Sequence, residues 1–362
     1  MVNHQRMLSW QMLSRIVAAL TAAVLLTPAS AEAGKLQPSQ LPQDAVWLLH
    51  LDFEAISASK LAEKLRESKP QLTEGVHYWF RQEYGIDPPK DLRSITMYSR
   101  DFKRYTGTVI VQADYERSKV VEKMEQASQL KKTNWNDLTL YTVTIDHHHG
   151  DAAHTKDADG SSDKRHDQPG KNKSHHHDKS GGKQMTVAFV DDDTIVLGSS
   201  VPNTQAAVKL LQQDGQSLST DSPLLSESVA DAWIYGAAID LQRLKQNPLP
   251  MPVLQQHERI IWSFGDRDGQ LFEHAELVAA SEEVAQKTLQ VVEGIAAYET
   301  LWAEGSPPMK SLMKNTRIQR DGKIVEVSWD GDTETVLKAL KDLGSRMKTW
   351  KHVWASDDDR SA

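Results

Sequence analysis

No cysteine occurs in the 362 residues, so disulfide scaffolds, thiolate-ligated zinc, iron–sulfur clusters, thiol nucleophiles and a lipid-bearing N-terminal cysteine are excluded together. Any chemistry must come from histidine, carboxylates or hydroxyls. Basic residues are the minority, 42 Lys and Arg against 50 Asp and Glu for a formal charge of −8. That is the wrong sign for a chain that neutralises phosphates, and no nucleic-acid partner is expected. Compact catalytic motifs are missing as well: the chain has no G-x-S-x-G elbow, no G-x-x-x-x-G-K-[ST] loop and no G-x-G-x-x-G fingerprint, which removes the usual support for hydrolase, nucleotide-binding and Rossmann readings. The chain therefore reads as non-enzymatic. The enzymatic alternative is a site whose carboxylates or histidines meet only in three dimensions, for which the sequence nominates no residue. What is present, 39% hydrophobic and 25% charged residues, suits a globular protein of two domains or one large one.

The N-terminus has a plan of its own. Arg6 and Arg15 precede the apolar run Ile16 to Leu26, no acidic residue occurs before Glu32, and the small-residue sites Ala29-Ser30-Ala31 and Ala31-Glu32-Ala33 follow. A basic start, a short apolar stretch and an A-x-A site describe a secretory signal peptide over residues 1–31, cleaved after Ala31. The run is too short to cross a bilayer comfortably, and no later stretch approaches the roughly 18 to 20 continuous apolar residues of a membrane helix. The expectation is an exported protein, periplasmic or extracellular, with no membrane span after cleavage. No adjacent arginines point to a twin-arginine route.

An internal duplication organises the rest. Asp44 to Ile56 can be laid on Ala232 to Leu244 at an offset of 188, Ile95 to Met124 on Arg259 to Thr288 at 164, and Thr186 to Leu211 on Asn315 to Leu340 at 129. The blocks read as a strand into a turn, a strand–turn–strand–helix unit, and a tight hairpin turning at Asp192-Asp193 or Asp321-Gly322 before a helix capped by Asn203 or Asp332. The first half, 41–213, carries two extra pieces, 57–94 and 125–185; the second half is 228–343. Repeated hairpins beside helices predict an α+β fold of two related halves, each with antiparallel strands packed against helices. Whether they share one sheet is open at this level. The first extra piece holds Val76, Trp79, Phe80 and Tyr84 at helical spacing, ended by Gly85 and Pro88-Pro89, which reads as an added core-packed helix. Ser281-Glu282-Glu283 opens another helix. Pro248, Pro250 and Pro252 form a stiff connector, and 344–362 extends the last helix with Met347, Trp350 and Trp354 before an acidic tail.

The segment 147–183 contains no Val, Ile, Leu, Met, Phe, Tyr or Trp and holds eight of the 14 histidines: His147, His148, His149, His154, His166, His175, His176 and His177. Such a composition cannot offset its ordering entropy by burial, so a disordered insertion is expected. Neutral imidazoles are the commonest protein ligands for Zn, Cu and Ni, which makes this segment the candidate metal site, for periplasmic transition-metal binding or buffering. No cofactor is otherwise implied. No H-E-x-x-H or paired helical histidines point to a pre-formed centre. His50, His257, His274 and His352 read as hydrogen-bonded structural residues. Asp266-Arg267-Asp268-Gly269 and Asp191-Asp192-Asp193 read as turns.

Leu41-Pro42-Gln43-Asp44-Ala45-Val46 leading to Leu51-Asp52, with Gly107 to Val111 and Thr194 to Gly198, resembles the uncharacterised exported α+β proteins of planctomycete-type bacteria. The resemblance covers most of 41–343 and implies export and the strand–helix repetition, but no activity or catalytic residues. The histidine-rich segment is not part of that pattern. The resulting expectation is an exported, non-enzymatic binding or envelope-associated module whose protein or envelope partner, like its oligomeric state, the sequence leaves unnamed.

Overall fold

The computed structural model describes residues 34–68, 81–82, 85–103, 105–126, 130–145, 183–246, 253–267 and 269–342. The expected signal segment 1–31, the aromatic-cluster residues Val76, Trp79, Phe80 and Tyr84, the histidine-rich segment 147–182, Pro248, Pro250 and Pro252, and the extension 344–362 lie outside the described residues.

Twelve strands form one antiparallel sheet: β1 Trp47–Asp52, β2 Leu92–Ser99, β3 Thr108–Ala113, β4 Leu130–Trp135, β5 Leu138–Ile145, β6 Lys183–Phe189, β7 Thr194–Gly198, β8 Ala232–Ile239, β9 His257–Arg267, β10 Gln270–Ala279, β11 Arg317–Asp321 and β12 Ile324–Asp332. Their order across the sheet is β11-β12-β10-β9-β8-β1-β2-β3-β7-β6-β5-β4. The question left open by the sequence is thereby answered. The halves share one sheet, joined where β1 pairs with β8 from Trp47 opposite Ala238 to Leu51 opposite Ile234.

Alternation fixes which side chains share a face. One row crosses all twelve strands, from Ile318 through Val327, Ala275, Trp262, Gly236, Leu49, Met97, Val109, Leu197, Val187 and Tyr141 to Lys132. Every member but the last is apolar or glycine, so this face is built to be covered. The described helices are α1 Phe53–Ala58, α2 Lys60–Ser68, α3 Pro88–Asp91, α4 Arg117–Glu125, α5 Val201–Leu211, α6 Glu282–Trp302, α7 Pro307–Asn315 and the helical residues 333–342, and most of them, though not α5, lie on this face. Phe53, Ile56, Leu61, Leu312, Val336 and Ala339 pack with Leu51, Ile95, Val111, Phe264 and Trp329 over the middle of this face. Val120, Val121 and Met124 of α4 pack on Val187, Ile195 and Tyr141, and Ala285 of α6 on Ala279 and Val325. The opposite face carries Leu48, Tyr98, Ile110, Val196, Tyr235 and Ile261, covered by Ala207 and Val208 of α5 with Leu41, Leu218 and Leu224.

The α+β architecture and the repeated order of elements are as the sequence predicts, with three corrections. An offset of 188 lays Trp47 on Tyr235, but Tyr235 pairs with His50 and Trp47 with Ala238, so the two aromatics point to opposite faces. A slip of one residue is enough, because side chains in a strand alternate. The helices that end the two halves also differ: α5 lies on one face and 333–342 on the other. Finally, α5 is capped by Ser200, whose Oγ accepts from Asn203 N at 3.3 Å, while the Asn203 side chain donates to Ser199 Oγ at 2.8 Å. Asp332, by contrast, does cap its helix through Thr335 N at 2.9 Å, and Ser281 caps α6 through Val284 N at 3.3 Å. The hairpin β4–β5 has no counterpart in the second half, where α7 occupies that place in the chain. Both outermost strands carry exposed cations, Lys131 and Lys132 on β4 and Arg317 on β11, a pattern that discourages edge-to-edge pairing.

An apolar cavity over the central strands

The described helices leave part of their face uncovered. Trp47, Met97, Val109, Leu197, Ala238, Ile260 and Trp262 form the floor of a cavity of about 820 Å³, within the range that takes small-molecule ligands. Its existence follows from residue size. Strand β8 places Gly236 between Leu49 and Trp262 in the row across the sheet, and Ala238 between Trp47 and Ile260. A Cβ built on Gly236 would touch only Leu49 Cδ1 at 3.7 Å and Leu48 O at 4.0 Å, so there is space above it.

Two walls flank the floor. On one side Leu241, Leu244 and Leu254 come from the 3-10 turns Leu241–Gln246 and Leu254–Gln256. On the other stands the β2–β3 connection with Phe102, Lys103 and Tyr105. Asp101 organises that connection, since its carboxylate accepts from Lys103 N at 2.9 Å and from Thr106 Oγ1, while its carbonyl accepts from Trp47 Nε1 at 3.0 Å. Tyr105 has φ 65 and is 62% exposed at the mouth; a non-glycine residue in that region is uncommon and strained. Opposite, Trp262 is fixed through Nε1 to Glu273 Oε1 at 2.7 Å, and the same carboxylate accepts from Trp329 Nε1. Lys103 is the one charged residue among the described lining residues, and no carboxylate or histidine joins it. The arrangement suits an apolar body with a polar or anionic end.

The eight histidines from His147 to His177 lie outside the described residues, and among the described residues no group of three or more His, Asp or Glu is placed to hold a metal ion. The isolated histidines that are described do as expected in two cases. His257 donates through Nδ1 to Val253 O at 2.8 Å and sits 3.0 Å from Thr288 Oγ1. His50 donates through Nε2 to Gly34 O at 2.9 Å, which leaves Nδ1 to accept from Thr96 Oγ1 at 2.9 Å. Burial holds His50 down at about 4 against the opposing pull of the Gly34 carbonyl, so the ring is neutral.

Beside His50 lies a buried acidic pair. Asp52, 5% exposed, caps α1 by accepting from Ala55 N at 2.9 Å. Burial pushes it up to about 6; the backbone bond opposes the shift, Glu54 adds to it and Lys35 opposes it. Glu54 is 7% exposed and its Oε2 has no hydrogen-bond partner among the described residues.

Sequence reasoning had no nominee for the cavity. The one local signal was the run Gly236-Ala237-Ala238 in the middle of a strand otherwise rich in large residues, since small residues in a strand interior mark a place where something else approaches.

No family model and no curated protein matches the chain. Among solved structures it is similar to TP0453, a Treponema protein. Crystal form III superposes with a TM-score of 0.41 at 10% identity, covering 84% of this chain and 97% of that one. For crystal form I the TM-score is 0.39 at 10% identity, covering 85% and 98%.

Proposed function

We propose that this is an exported binding protein for an apolar small molecule, a long-chain amphiphile held with its hydrocarbon in the cavity and its polar or anionic end toward Lys103. The observation that carries the reading is the cavity itself, an apolar hollow of about 820 Å³ over strands whose neighbouring positions are fully packed. Soluble chains rarely leave so much contiguous apolar surface without a use for it. The hydrophobic effect would supply the affinity, at about 25 cal/mol for each Å² of apolar surface removed from water. The lysine would supply orientation rather than strength, because a cation at a wet rim contributes little.

The test is titration of the exported protein with a fluorescent long-chain fatty acid, followed by displacement with the unlabelled acid and with the alcohol of equal length. Saturable binding at one site is expected. Lys103→Gln should weaken the acid only modestly, by about five-fold or less, and leave the alcohol unchanged. Absence of saturable binding of either amphiphile would overturn the proposal.

A further inference from the structure

Seven large apolar side chains stand exposed among the described residues, and four of them, Val291, Ile295, Tyr298 and Leu301, belong to α6, at 49, 53, 67 and 69% exposure. The opposite side of that helix is already used: Ala285 and Thr288 are buried, and Val284 packs with Ala279 and Val325 of the sheet. Val291, Gly294, Tyr298 and Leu301 recur at steps of three, four and three, the spacing of a seam between two helices. Gly294 is the unexpected member. A glycine inside a helix costs about 1 kcal/mol relative to alanine, and no described neighbour requires it, since a Cβ built there would meet nothing within 4 Å. We propose that α6 docks a second copy of this chain, laid antiparallel across a two-fold axis so that each Tyr298 ring seats over the partner's Gly294.

Self-complementarity selects that occupant. When α6 runs antiparallel to its copy about an axis at the level of Ala296, Gly294 faces the partner's Tyr298 and Val291 faces the partner's Leu301, and the two-fold makes each contact twice. The largest side chain of the seam thus meets the position that has none. The charges fit as well. Gln290, Ile295 and Ala297, which flank the seam, are uncharged. Lys287 lies one turn before Val291 on the same side, so it reaches one turn past the partner's Leu301, to the C-terminal end of a helix whose last turn has no basic residue. A cation is favoured there by the helix dipole. Its bond to Glu283 at 2.7 Å is a pair with both side chains mostly exposed and restrains it little. From Val291 to Leu301 the seam is about 15 Å long. A single such seam falls short of the roughly 800 Å² per partner of a standard interface, so the association is reversible and depends on concentration. None of these residues lines the cavity, and the proposal stands apart from the ligand-binding one.

The test is sedimentation equilibrium of the purified protein across the micromolar range, where a shift from one chain to two is expected. Gly294→Leu should raise the dissociation constant about ten-fold or more while keeping or raising the thermal midpoint of the monomer, because leucine is the better helix former yet fills the seat of Tyr298. An unchanged constant overturns the seat. Orientation is read in the cysteine-free background: Val291→Cys mixed with Leu301→Cys should give a disulfide-linked pair of the two variants under mild oxidation, and far less from either alone. Equal cross-linking of each variant with itself overturns the antiparallel arrangement. A protein that stays monomeric at every concentration overturns the docking of a second copy, and if that monomer also floats with phosphatidylcholine–phosphatidylglycerol vesicles only while Tyr298 is intact, the stripe belongs to a lipid surface instead.

Discussion

Strands β1 and β8 lie side by side at the centre of the sheet, and each opens its half of the chain, yet one is covered where the other is left bare. On β1, Leu49 and Leu51 face the helices, and Leu51 is packed under Phe53 and Ile56. On β8, Gly236 and Ala238 occupy that face, and the space above them is the cavity. The strand ends differ in the same sense. Asp52 is buried as the cap of α1, whereas Asp240, which follows β8, has φ 55 and forms a half-exposed ion pair with Arg243 at 3.1 Å. Equal places in a topology therefore do not make equal environments. Side-chain volume on one strand decides whether a stretch of sheet becomes packed core or an open hollow.

Substitutions on these two strands can break the contrast, and the largest effect is expected on the shared core behind it. Tyr235 is fully buried on the face away from the cavity and donates to Leu224 O at 2.9 Å. Tyr235→Ala should cost about 4 kcal/mol in denaturant unfolding, while Tyr235→Phe should cost about 1 to 2 kcal/mol, because it leaves a buried carbonyl without its donor.

Next in size is the effect of pH on β1. His50 is 2% exposed and held down at about 4. Below its ordinary value of about 6.5 the unfolded chain binds a proton that the folded chain refuses until about pH 4, so stability falls as pH falls through that window, by about 3 kcal/mol. His50→Gln removes this contribution. The difference in unfolding free energy between wild type and variant, followed from pH 7 to pH 4, should change by that amount, and parallel curves would show that His50 does not titrate this way. His257 is shifted in the same direction by burial and should behave similarly but less strongly.

Filling the hollow over β8 comes third. Ala238→Phe should lower affinity for a long-chain amphiphile about ten-fold or more, about 1.4 kcal/mol, while changing stability by less than the Tyr235 substitutions. If binding is unaffected, the cavity is not the site. Gly236→Ala, whose new methyl meets Leu49 at an ordinary distance, should leave both nearly unchanged.

The smallest structural effect is expected from the histidine-rich segment that distinguishes the first half. Ile145 and Lys183 already pair across β5 and β6, so replacing 147–182 with a short Asn-Gly turn should change the unfolding free energy by about 0.5 kcal/mol or less. Calorimetry with zinc and copper should show submicromolar binding in the intact protein and none in the shortened one. Equal binding in both would place a metal site in the folded part.

Much of this was legible locally. The hairpin turn at Asp321-Gly322, with Gly322 at φ 53, the caps at Ser281 and Asp332, and the alternation of strands such as Leu92–Ser99 depend on residues a few positions apart. Pairing over long separations was not legible. Nothing near Leu49 says that Met97 will flank it on one side and Gly236 on the other, and an alignment off by one residue exchanges the faces of Trp47 and Tyr235. The one helix cap that failed did so for a related reason: Ser200 and Asn203 are both good caps, and in the fold Ser200 Oγ takes Asn203 N while the Asn203 side chain turns to Ser199 Oγ.

By itself, the sequence determined the class of the fold, because hydrophobic spacing and turn chemistry act within a few residues and recur in both halves. Only the tertiary structure decided that the halves form one sheet, that their last helices lie on opposite faces, and that Gly236 and Ala238 meet Trp47 and Trp262 around a hollow. Those outcomes depend on which strand lies beside which, and that is set by burial summed over the whole chain rather than by any segment of it.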